Sequence, residues 1–529
     1  MFKFGTADRF FAYIGKYYPV MCSSGAFPLM PPVADAANWL DRYDEVNAKA
    51  IAKHLVKLKK FRSDFETMEI KGGAVTNRAT AHALAMCASA AIAELEIIRT
   101  WETSPDFYLR IAFTGLDQAM NMPAKSDRVR EKRFLKRLKA IPALLAEAEN
   151  NIEAVTPTAR GRAQTMIRDC ARYVSALNES DLGKAGKAPR YIAACSIALR
   201  DYDRLLSMCN EIPEREGPAF EVMLRSVLGT QKTPDEIFTI AEAEYERRVE
   251  SIRFLESEIG TPWATALEGY AGPAREGEDA IDCIVREVHR LRNFIFESPL
   301  APILEDSSLR IAQLPQYLAA TLRPIHYDPA LQSDIPSHCF VSPQLFSGRG
   351  FRDDPTRLGR IRREYLFMAA RQSYPGRHLL DTQRRGIKNS PLAQITNPLF
   401  MEGWSSFAED MLEELGYLEK PLDRLVLHQR GRIRAALAMI DAGLAVGNLD
   451  QDKCLNILMD SGCSKEESLA RVRSIRLEPG NRVMPVLGLH EIRSLRRMSK
   501  QMLPQFCNTI LSHGQISFTH LGEIIREQT

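Results

Sequence analysis

The chain has 529 residues, of which 45% are apolar and 26% are charged, and its formal net charge at pH 7 is only +3. This length allows about two to four domains, and the composition is that of an ordinary soluble globular protein. The small net charge argues against a molecule whose whole surface is built to bind nucleic acid or an acidic membrane.

The cysteines and the N-terminal segment indicate the compartment. Ten cysteines lie between Cys22 and Cys507 without a C-x-x-C pair, which favours reduced, buried thiols over a disulfide framework or a zinc ribbon. The aromatic N-terminal segment is interrupted by Asp8, Arg9 and Lys16, unlike a signal peptide, and no segment approaches about 18–20 consecutive apolar residues. We therefore predict a soluble, cytoplasmic protein that has no membrane partner.

Helical periodicity dominates the N-terminal part of the chain. Residues 35–65 and 78–102 are free of proline and are amphipathic or rich in alanine, which predicts two long helices. Residues 127–178 predict two more helices, separated at the Thr156-Pro157 pair, where a capping hydroxyl precedes a proline.

A further helix is predicted to begin at Thr233-Pro234 and to end at Gly260. Only the region 338–350 looks extended, because β-branched and aromatic residues lie there near prolines and glycines. The predicted fold class is therefore mainly α, a large helical body with a small β element near residues 338–350.

Two connections rich in glycine and proline, near residues 258–275 and 299–350, divide the chain. They predict an N-terminal helical half, residues 1–298, and a C-terminal half, residues 299–529. Because no long polar linker lies between the halves, we expect them to pack as one body.

One buried helix is predicted to break in the segment "RQSYPGRHLLDTQ", which begins at Arg371. The preceding residues are apolar almost all round, as in a helix that is buried on every side. Pro375 cannot donate a hydrogen bond to the carbonyl of Arg371, and Gly376 follows it, so the helix should bend or end there. A deliberate kink often lines a functional site, but a helix that simply ends has the same local sequence.

This segment resembles the H-E-x-x-P-G-H-H signature of the domain-of-unknown-function 885 family, whose mostly helical members resemble gluzincin-type zinc metallopeptidases. In such a motif histidines bind Zn²⁺ and the glutamate activates a water molecule. The structural positions of the motif match at Tyr374, Pro375 and Gly376. The positions of the first histidine, the glutamate and the histidine pair are occupied by Arg371, Gln372, Arg377 and His378.

Three later segments continue the resemblance, which covers nearly the whole chain. "EGWSSFAE" is similar to the family's E-G-W-x-x-Y-x-E, in which the first carboxylate, here Glu402, would be the metal ligand. "MIDAGLAVGNLD" and "EPGNRVMPVLGLHEIRSLR" resemble a D-x-G-x-H and a P-G-Q-x-x-x-Y-x-x-G segment. The matching residues are Gly403, Trp404, Glu409, Asp441, Gly443, Pro479, Gly480 and Gly488, and the departures are Phe407, Ala445 and Pro485.

These departures remove the residues that zinc chemistry needs. A catalytic zinc takes three protein ligands, and only His378 and Glu402 remain. Arg371 and Arg377 are donors only and repel a cation, and Gln372 cannot act as a general base. We therefore predict a degenerate, metallopeptidase-like pseudoenzyme without a cofactor. A hydrolase that uses zinc with His378, Glu402 and an unrecognised third ligand is the alternative.

Local charge suggests what the degenerate site binds. Between Arg352 and Lys388 there are ten Arg/Lys and four Asp/Glu residues, and paired guanidinium groups bind carboxylates or phosphates. We predict a cleft for a small anionic molecule or peptide, and no nucleic-acid partner; the oligomeric state is not specified by the sequence. The predicted ligand-binding residues are Arg371, Gln372, Tyr374, Arg377, His378, Glu402 and Glu409, and His378 and Glu402 are the candidates for any remaining catalysis.

An alternative interpretation needs no ligand. Glu402 and Glu409 could neutralise the arginines in a structural ion-pair cluster, which would leave a non-catalytic scaffold or a partner-binding protein. The helix that carries these two residues has an apolar stripe on one face. The pattern alone predicts that its acidic face is solvated, whereas the family resemblance predicts that Glu402 points into the cleft.

Overall fold

The computed structural model describes residues 5–213, 220–270, 272, 278–319, 322, 324–331, 335–343, 345–346, 355–388 and 390–528. Within them the protein is mainly helical, as the sequence predicts. The first eleven helices are α1 (Gly5–Tyr17), α2 (Ala48–Ile70), α3 (Val75–Ile92), α4 (Thr100–Thr103), α5 (Asp106–Asn121), α6 (Asp127–Asn151), α7 (Pro157–Leu177), α8 (Asp181–Lys184), α9 (Ala188–Met208), α10 (Phe220–Met223) and α11 (Pro234–Ile259).

The C-terminal part of the chain continues the helical body. Several of its helices carry the residues of the candidate site. The remaining helices are α12 (Trp263–Ala266), α13 (Ala280–Glu297), α14 (Pro355–Gln372), α15 (Arg377–Gly386), α16 (Pro398–Glu414), α17 (Pro421–Ala445), α18 (Gln451–Asp460), α19 (Lys465–Leu477), α20 (Met484–Ser499), α21 (Leu503–Ser512) and α22 (Phe518–Gln528).

In the described part of the chain, five short strands form two small sheets. β1 (Ala154–Val155) pairs in parallel with β2 (Asn210–Glu211). The second sheet has the order β3-β5-β4, with β3 (Leu309–Gln313) parallel and β4 (Ile325–Asp328) antiparallel to the central β5 (Ser337–Val341). Alternate residues of β5 are buried, as expected for a strand with one face on the core.

The predicted extended region at 338–350 is only partly described by the structure. β5 confirms its first residues, whereas residues 344 and 347–350 lie outside the described part of the chain. The sequence analysis missed β3 and β4, because four or five residues give too short a pattern to distinguish a strand from a loop.

The predicted helix starts at Thr156-Pro157 and Thr233-Pro234 are confirmed, and both have capping side chains. The Thr156 side chain accepts a hydrogen bond from the N–H of Ala159 at the start of α7. Thr233 and Glu236 form a capping box at the start of α11, which ends at Gly260 with φ +80°. A side-chain acceptor at the first position satisfies an N–H that the helix itself leaves unpaired.

Two predicted helices are shorter than expected. The region 35–65 begins with a 3₁₀ turn, Ala34–Trp39, and its α-helix starts only at Ala48, after the capping side chain of Asn47. The region 78–102 leaves α geometry at a π-helical turn, Ala93–Ile98. Periodicity alone cannot detect such changes, since neither one interrupts the apolar pattern.

The stretch Val75–Thr103 corrects the expectation that no segment is apolar enough to cross a membrane. By length and composition this helical stretch could do so, but 67% of its most apolar window is buried inside the fold. It packs against α2 and α22, as the core helix of a globular protein does.

One large hydrophobic cluster joins the two predicted halves. It contains Phe10 and Leu84 from the first half together with Trp404, Ile492 and Ile525 from the second. The division into residues 1–298 and 299–529 stays a prediction, but apolar contacts cross its boundary.

Candidate functional site

The helix break at Pro375 shapes the centre of the candidate site. α14 ends at Gln372 and α15 begins at Arg377, as the sequence predicts, and the peptide bond before Pro375 is cis. The carbonyl of Pro375 accepts a hydrogen bond from the indole N–H of Trp404 at 3.0 Å. A Cβ atom at Gly376 would lie 2.3 Å from a backbone oxygen of α14, so only glycine fits there.

Glu402 lies between two arginines, Arg371 and Arg377. Arg371 donates from Nη2 to Oε2 of Glu402, and Arg377 donates from Nη2 to Oε1. Arg371 also donates to Glu409 Oε1 at 3.4 Å and to Ser406 Oγ at 3.3 Å. Arg371 and Glu402 are only 5% and 7% exposed, so this is a buried network.

Glu409 connects this network to α17. Its Oε2 accepts hydrogen bonds from Arg430 Nε at 3.1 Å and from Arg434 Nη2 at 2.5 Å. Burial disfavours its charged form, but Arg430, Arg434 and Arg371 outweigh that effect and lower the pKa of Glu409 to about 2. Glu402 and Glu409 of α16 are therefore buried, and not solvated as the residue pattern alone would indicate.

The sequence analysis missed the arginines of α17. Arg430 and Arg434 are four residues apart and therefore share one helix face, a signal that was present in the sequence. Nothing local could show which carboxylate they meet, because Glu409 lies 21 and 25 residues earlier in the chain.

Further ion pairs extend the network towards α19. Arg430 donates to Glu364, and Arg360 lies beside both Glu364 and Glu467. Arg471 donates from Nε to Glu467 at 2.9 Å. Side chains from α14, α16, α17 and α19 thus alternate in charge through the interior.

A cavity of about 290 Å³ opens beside this network. Arg371 and Gln372 lie in its wall, and apolar residues such as Met368 and Leu437 form the rest of the lining. Glu364 is the only carboxylate among the described lining residues, whereas Glu402 and Glu409 lie behind the wall. We call this space the basic cavity, because six arginines line it: Arg360, Arg371, Arg430, Arg434, Arg471 and Arg482.

Gln372, a residue of the cavity lining, has an unused acceptor. The residue is 4% exposed, and its Oε1 has no hydrogen-bond partner in the described part of the chain. A buried carbonyl oxygen without a donor is costly, so a donor supplied by a ligand would be stabilising there.

The rings of His378 and Tyr374 are turned away from the basic cavity. His378 Nε2 lies 3.1 Å from the carbonyl oxygen of Ser307, and burial lowers the pKa of the imidazole. Tyr374 donates its hydroxyl to Asp306 at 2.8 Å and packs its ring against His378. Neither residue is part of the cavity lining, so the structure separates them from Arg371 and Gln372.

The residues present do not fit a zinc ion. Among the described residues, no group of three His, Cys, Asp or Glu side chains is arranged to hold a metal. Glu402, the carboxylate that the resemblance assigns to the metal, is hydrogen-bonded to two guanidinium groups instead. Guanidinium groups cannot coordinate a cation, and they raise the electrostatic cost of placing one nearby.

Asp441, which the family motif retains, here anchors the segment before α20. Its carboxylate accepts hydrogen bonds from the backbone N–H groups of Gly480 at 2.9 Å and of Arg482 at 2.8 Å. Burial outweighs these hydrogen bonds and raises the pKa of Asp441 to about 6. This anchor sets the position of Arg482 and Pro485 in the wall of the basic cavity.

Comparisons with known proteins agree with this architecture. A "putative lipoprotein of unknown function" from Shewanella oneidensis is 15% identical, with a TM-score of 0.72, over 99% of this chain and 100% of that one. A "putative lipoprotein" from Colwellia psychrerythraea is 14% identical, with a TM-score of 0.73, over 99% of each chain. At these identities the likeness concerns the fold alone.

Family membership follows from the sequence as a whole. The family described as a bacterial protein of unknown function, DUF885, matches residues 33–525, and the chain belongs to it. The predicted membership of this family is thereby confirmed. No curated protein matches this chain.

Proposed function

We propose that this protein binds a small anion, a carboxylate or a phosphate, in the basic cavity, and that it does not act as a zinc peptidase. The observation that carries the proposal is the cavity wall, in which six guanidinium groups and one carboxylate surround about 290 Å³. Charge-assisted hydrogen bonds from arginine are the usual protein contacts of carboxylates and phosphates.

The charge balance of the region supports an anionic ligand. Arg482 lies 3.8 Å from Glu478 at the more exposed side of the network. Buried charges are costly unless they are balanced, and among the described residues of this network arginines outnumber carboxylates by two. The groups are Arg360, Arg371, Arg377, Arg430, Arg434, Arg471 and Arg482 with Glu364, Glu402, Glu409, Glu467 and Glu478.

Gln372 narrows the class of ligand. Its free Oε1 accepts hydrogen bonds, so it would pair with an N–H or O–H group that the anion carries. A hydroxy acid, an amino acid or a protonated phosphate has such a donor beside its negative charge. A peptide with a free carboxyl end has the same groups.

The scaffold interpretation has one observation in its favour. Arg371 and Arg377 already share Glu402, and a fully paired network can exist only to support the fold. The hydrolase alternative has no set of three metal ligands in the described residues to support it.

The cytoplasmic location also stays a prediction. Ten free cysteines are what a reducing compartment favours. The lipoprotein description of the two structural neighbours favours attachment to a membrane outside the cytoplasm instead. Fractionation of cells that express the native gene separates these two expectations.

Calorimetric titration of the full chain with inorganic phosphate, succinate and malate tests the proposal. Arg482→Gln should weaken binding of these anions at least about tenfold, because a hydrogen bond to a charged group contributes about 1.5–3 kcal/mol. Arg482 is suited to this test because its side chain is 26% exposed, which limits the cost to the fold.

The matched control is Arg473→Gln, an exposed arginine of α19 that is not part of the cavity lining. It removes the same charge and should leave affinity within about twofold. Equal weakening by both variants, or no binding of any of the three anions at millimolar concentration, would contradict the proposal. Stoichiometric zinc in freshly purified protein, together with peptide cleavage that a chelator abolishes, would overturn the proposal that this protein is not a zinc peptidase.

A further inference from the structure

A second and larger cavity lies on another side of the molecule. It has a volume of about 850 Å³ and lies between the π-helical turn 93–98, α5 and the segment 477–481. We call it the acidic cleft, for reasons given below. Its apolar lining includes three aromatic and three sulfur-containing side chains, Phe27, Trp101, Phe107, Met21, Met30 and Met223.

The backbone at the rim of the acidic cleft is irregular. The turn Ala93–Ile98 has π-helical hydrogen bonding, and Arg99 after it has a left-handed conformation with φ +53°. Left-handed geometry is unfavourable for a residue with a side chain, and π turns occur frequently at functional sites. This irregular turn places Glu94 in the wall of the cleft.

Glu94 is a buried carboxylate whose hydrogen-bond partner is neutral. It is 8% exposed and accepts a hydrogen bond from the hydroxyl group of Thr100. Burial raises its pKa, although Thr100 and Arg110 act in the opposite direction. A ligand cation placed at Glu94 would supply the counter-charge that this carboxylate needs.

The arginines of the same wall have other partners. Arg162 pairs with Asp106 at 2.8 Å. Arg110 donates to the carbonyl of Ala26 at 2.6 Å and stacks 4.6 Å from the ring centre of Phe27. These contacts hold both guanidinium groups against the protein.

The described charges of the acidic cleft sum to a negative value. Arg99 pairs with Glu102 at the rim, and Asp106 lies behind the wall with its arginine partner. Among the described lining residues, acidic groups outnumber basic ones by one, whereas basic groups dominate the lining of the basic cavity. The lining charges are Glu94, Glu102, Glu153 and Glu478 with Arg99, Arg110 and Arg162.

We propose that the acidic cleft binds an organic cation, a primary ammonium or guanidinium group on an apolar body, with the cationic group at Glu94. The aromatic walls would hold the apolar body, since aromatic faces attract cations and bury apolar surface. This inference does not depend on the basic cavity, whose lining shares only Asn481 with the cleft among described residues.

Calorimetric titration of the full chain with 2-phenylethylamine and its neutral analogue 2-phenylethanol, at constant ionic strength, tests this inference. The amine should bind at least about tenfold more tightly, because only the amine forms a charge-assisted hydrogen bond. Phenylacetate should bind more weakly than the alcohol. Equal binding of amine and alcohol, stronger binding of phenylacetate, or no binding of the amine overturns the inference.

Glu94→Gln then assigns the site. The amide keeps an acceptor for Thr100, so the variant should fold, and circular dichroism checks this. The preference for the amine over the alcohol should fall to about twofold or less in Glu94→Gln. Glu149→Gln is the matched control, because Glu149 is exposed on α6 and is not part of the lining. An undiminished preference in Glu94→Gln overturns the assignment.

Discussion

At the scale of single residues, the two arginines beside Glu402 decide what this carboxylate can do. A carboxylate next to a neutral imidazole can share a cation, whereas Glu402 accepts hydrogen bonds from Arg371 and Arg377. Guanidinium groups repel a cation, so this pairing leaves no place for a metal ion at Glu402. The neighbouring Glu409 is the carboxylate whose titration should be measurable.

We expect Glu409→Gln to destabilise the protein by about 3 kcal/mol near pH 7, because breaking a buried ion pair leaves uncompensated charge. The folded-state pKa of Glu409, about 2, lies below its ordinary value of 4.5. Its contribution is therefore fully present above pH 4.5 and is lost as the pH falls towards 2. Thermal midpoints of both proteins should converge over that range.

The control is Glu414→Gln on the same helix. Glu414 is 42% exposed and pairs with Arg496, so its loss should cost less than about 1 kcal/mol. A Glu409→Gln protein as stable at pH 7 as Glu414→Gln would mean that the buried network contributes little to folding.

At the scale of elements, the crossing of α16 and α20 fixes the depth of Glu402. The two helices approach at Gly403 and Gly488, where a Cβ atom on Gly403 would lie 2.6 Å from the Cα atom of Gly488. Two glycines allow backbone contact that no other pair permits. The family motif thus retains Gly403 for packing, next to the residue that carries the charge.

We expect Gly403→Ala to destabilise the protein by about 1–3 kcal/mol, because the added methyl group must push two helices apart. Gly161→Ala is the matched control. Gly161 is exposed within α7, and its Cβ would meet nothing within 4 Å, so alanine should stabilise by about 0.4–1 kcal/mol. Thermal unfolding of both variants measures the difference. A neutral Gly403→Ala would show that the crossing relaxes easily.

At the scale of the whole molecule, two cavities of opposite charge lie on either side of the segment 477–482. Glu478 lines the acidic cleft, and Arg482 lines the basic cavity. A net charge of +3 for the chain conceals this separation. The ten cysteines take no part in either cavity, and nine of them are buried.

We expect native protein to expose at most one reactive thiol, that of the half-buried Cys209. The other nine thiols are buried and out of reach of a reagent. Burial raises the pKa of all ten thiols, for example that of Cys87 to about 12, and the thiolate is the reactive form. Titration with a thiol reagent, in the absence of a reductant, should therefore detect one thiol in the native protein and ten thiols after denaturation. Cys209→Ser should abolish the native signal. Fewer than ten thiols in denatured protein would indicate a disulfide.

The sequence predicted those parts of the fold that local chemistry decides. The break at Pro375 follows from a missing N–H, and the starts of α7 and α11 follow from capping hydroxyls beside prolines. The family resemblance placed Arg371 and Gln372 in a ligand-binding cleft. Both residues line the basic cavity, and ligand binding by them stays a prediction.

Only the tertiary structure decided the partners of those residues. Arg430 and Arg434 reach Glu409 from another helix, and Arg482 joins the cavity because Asp441 holds its backbone. His378 follows Arg377 directly, yet its ring faces the loop at Ser307. Local sequence fixes where a helix starts and ends, but the approach of charges from separate helices depends on how the whole core packs, which no short pattern encodes.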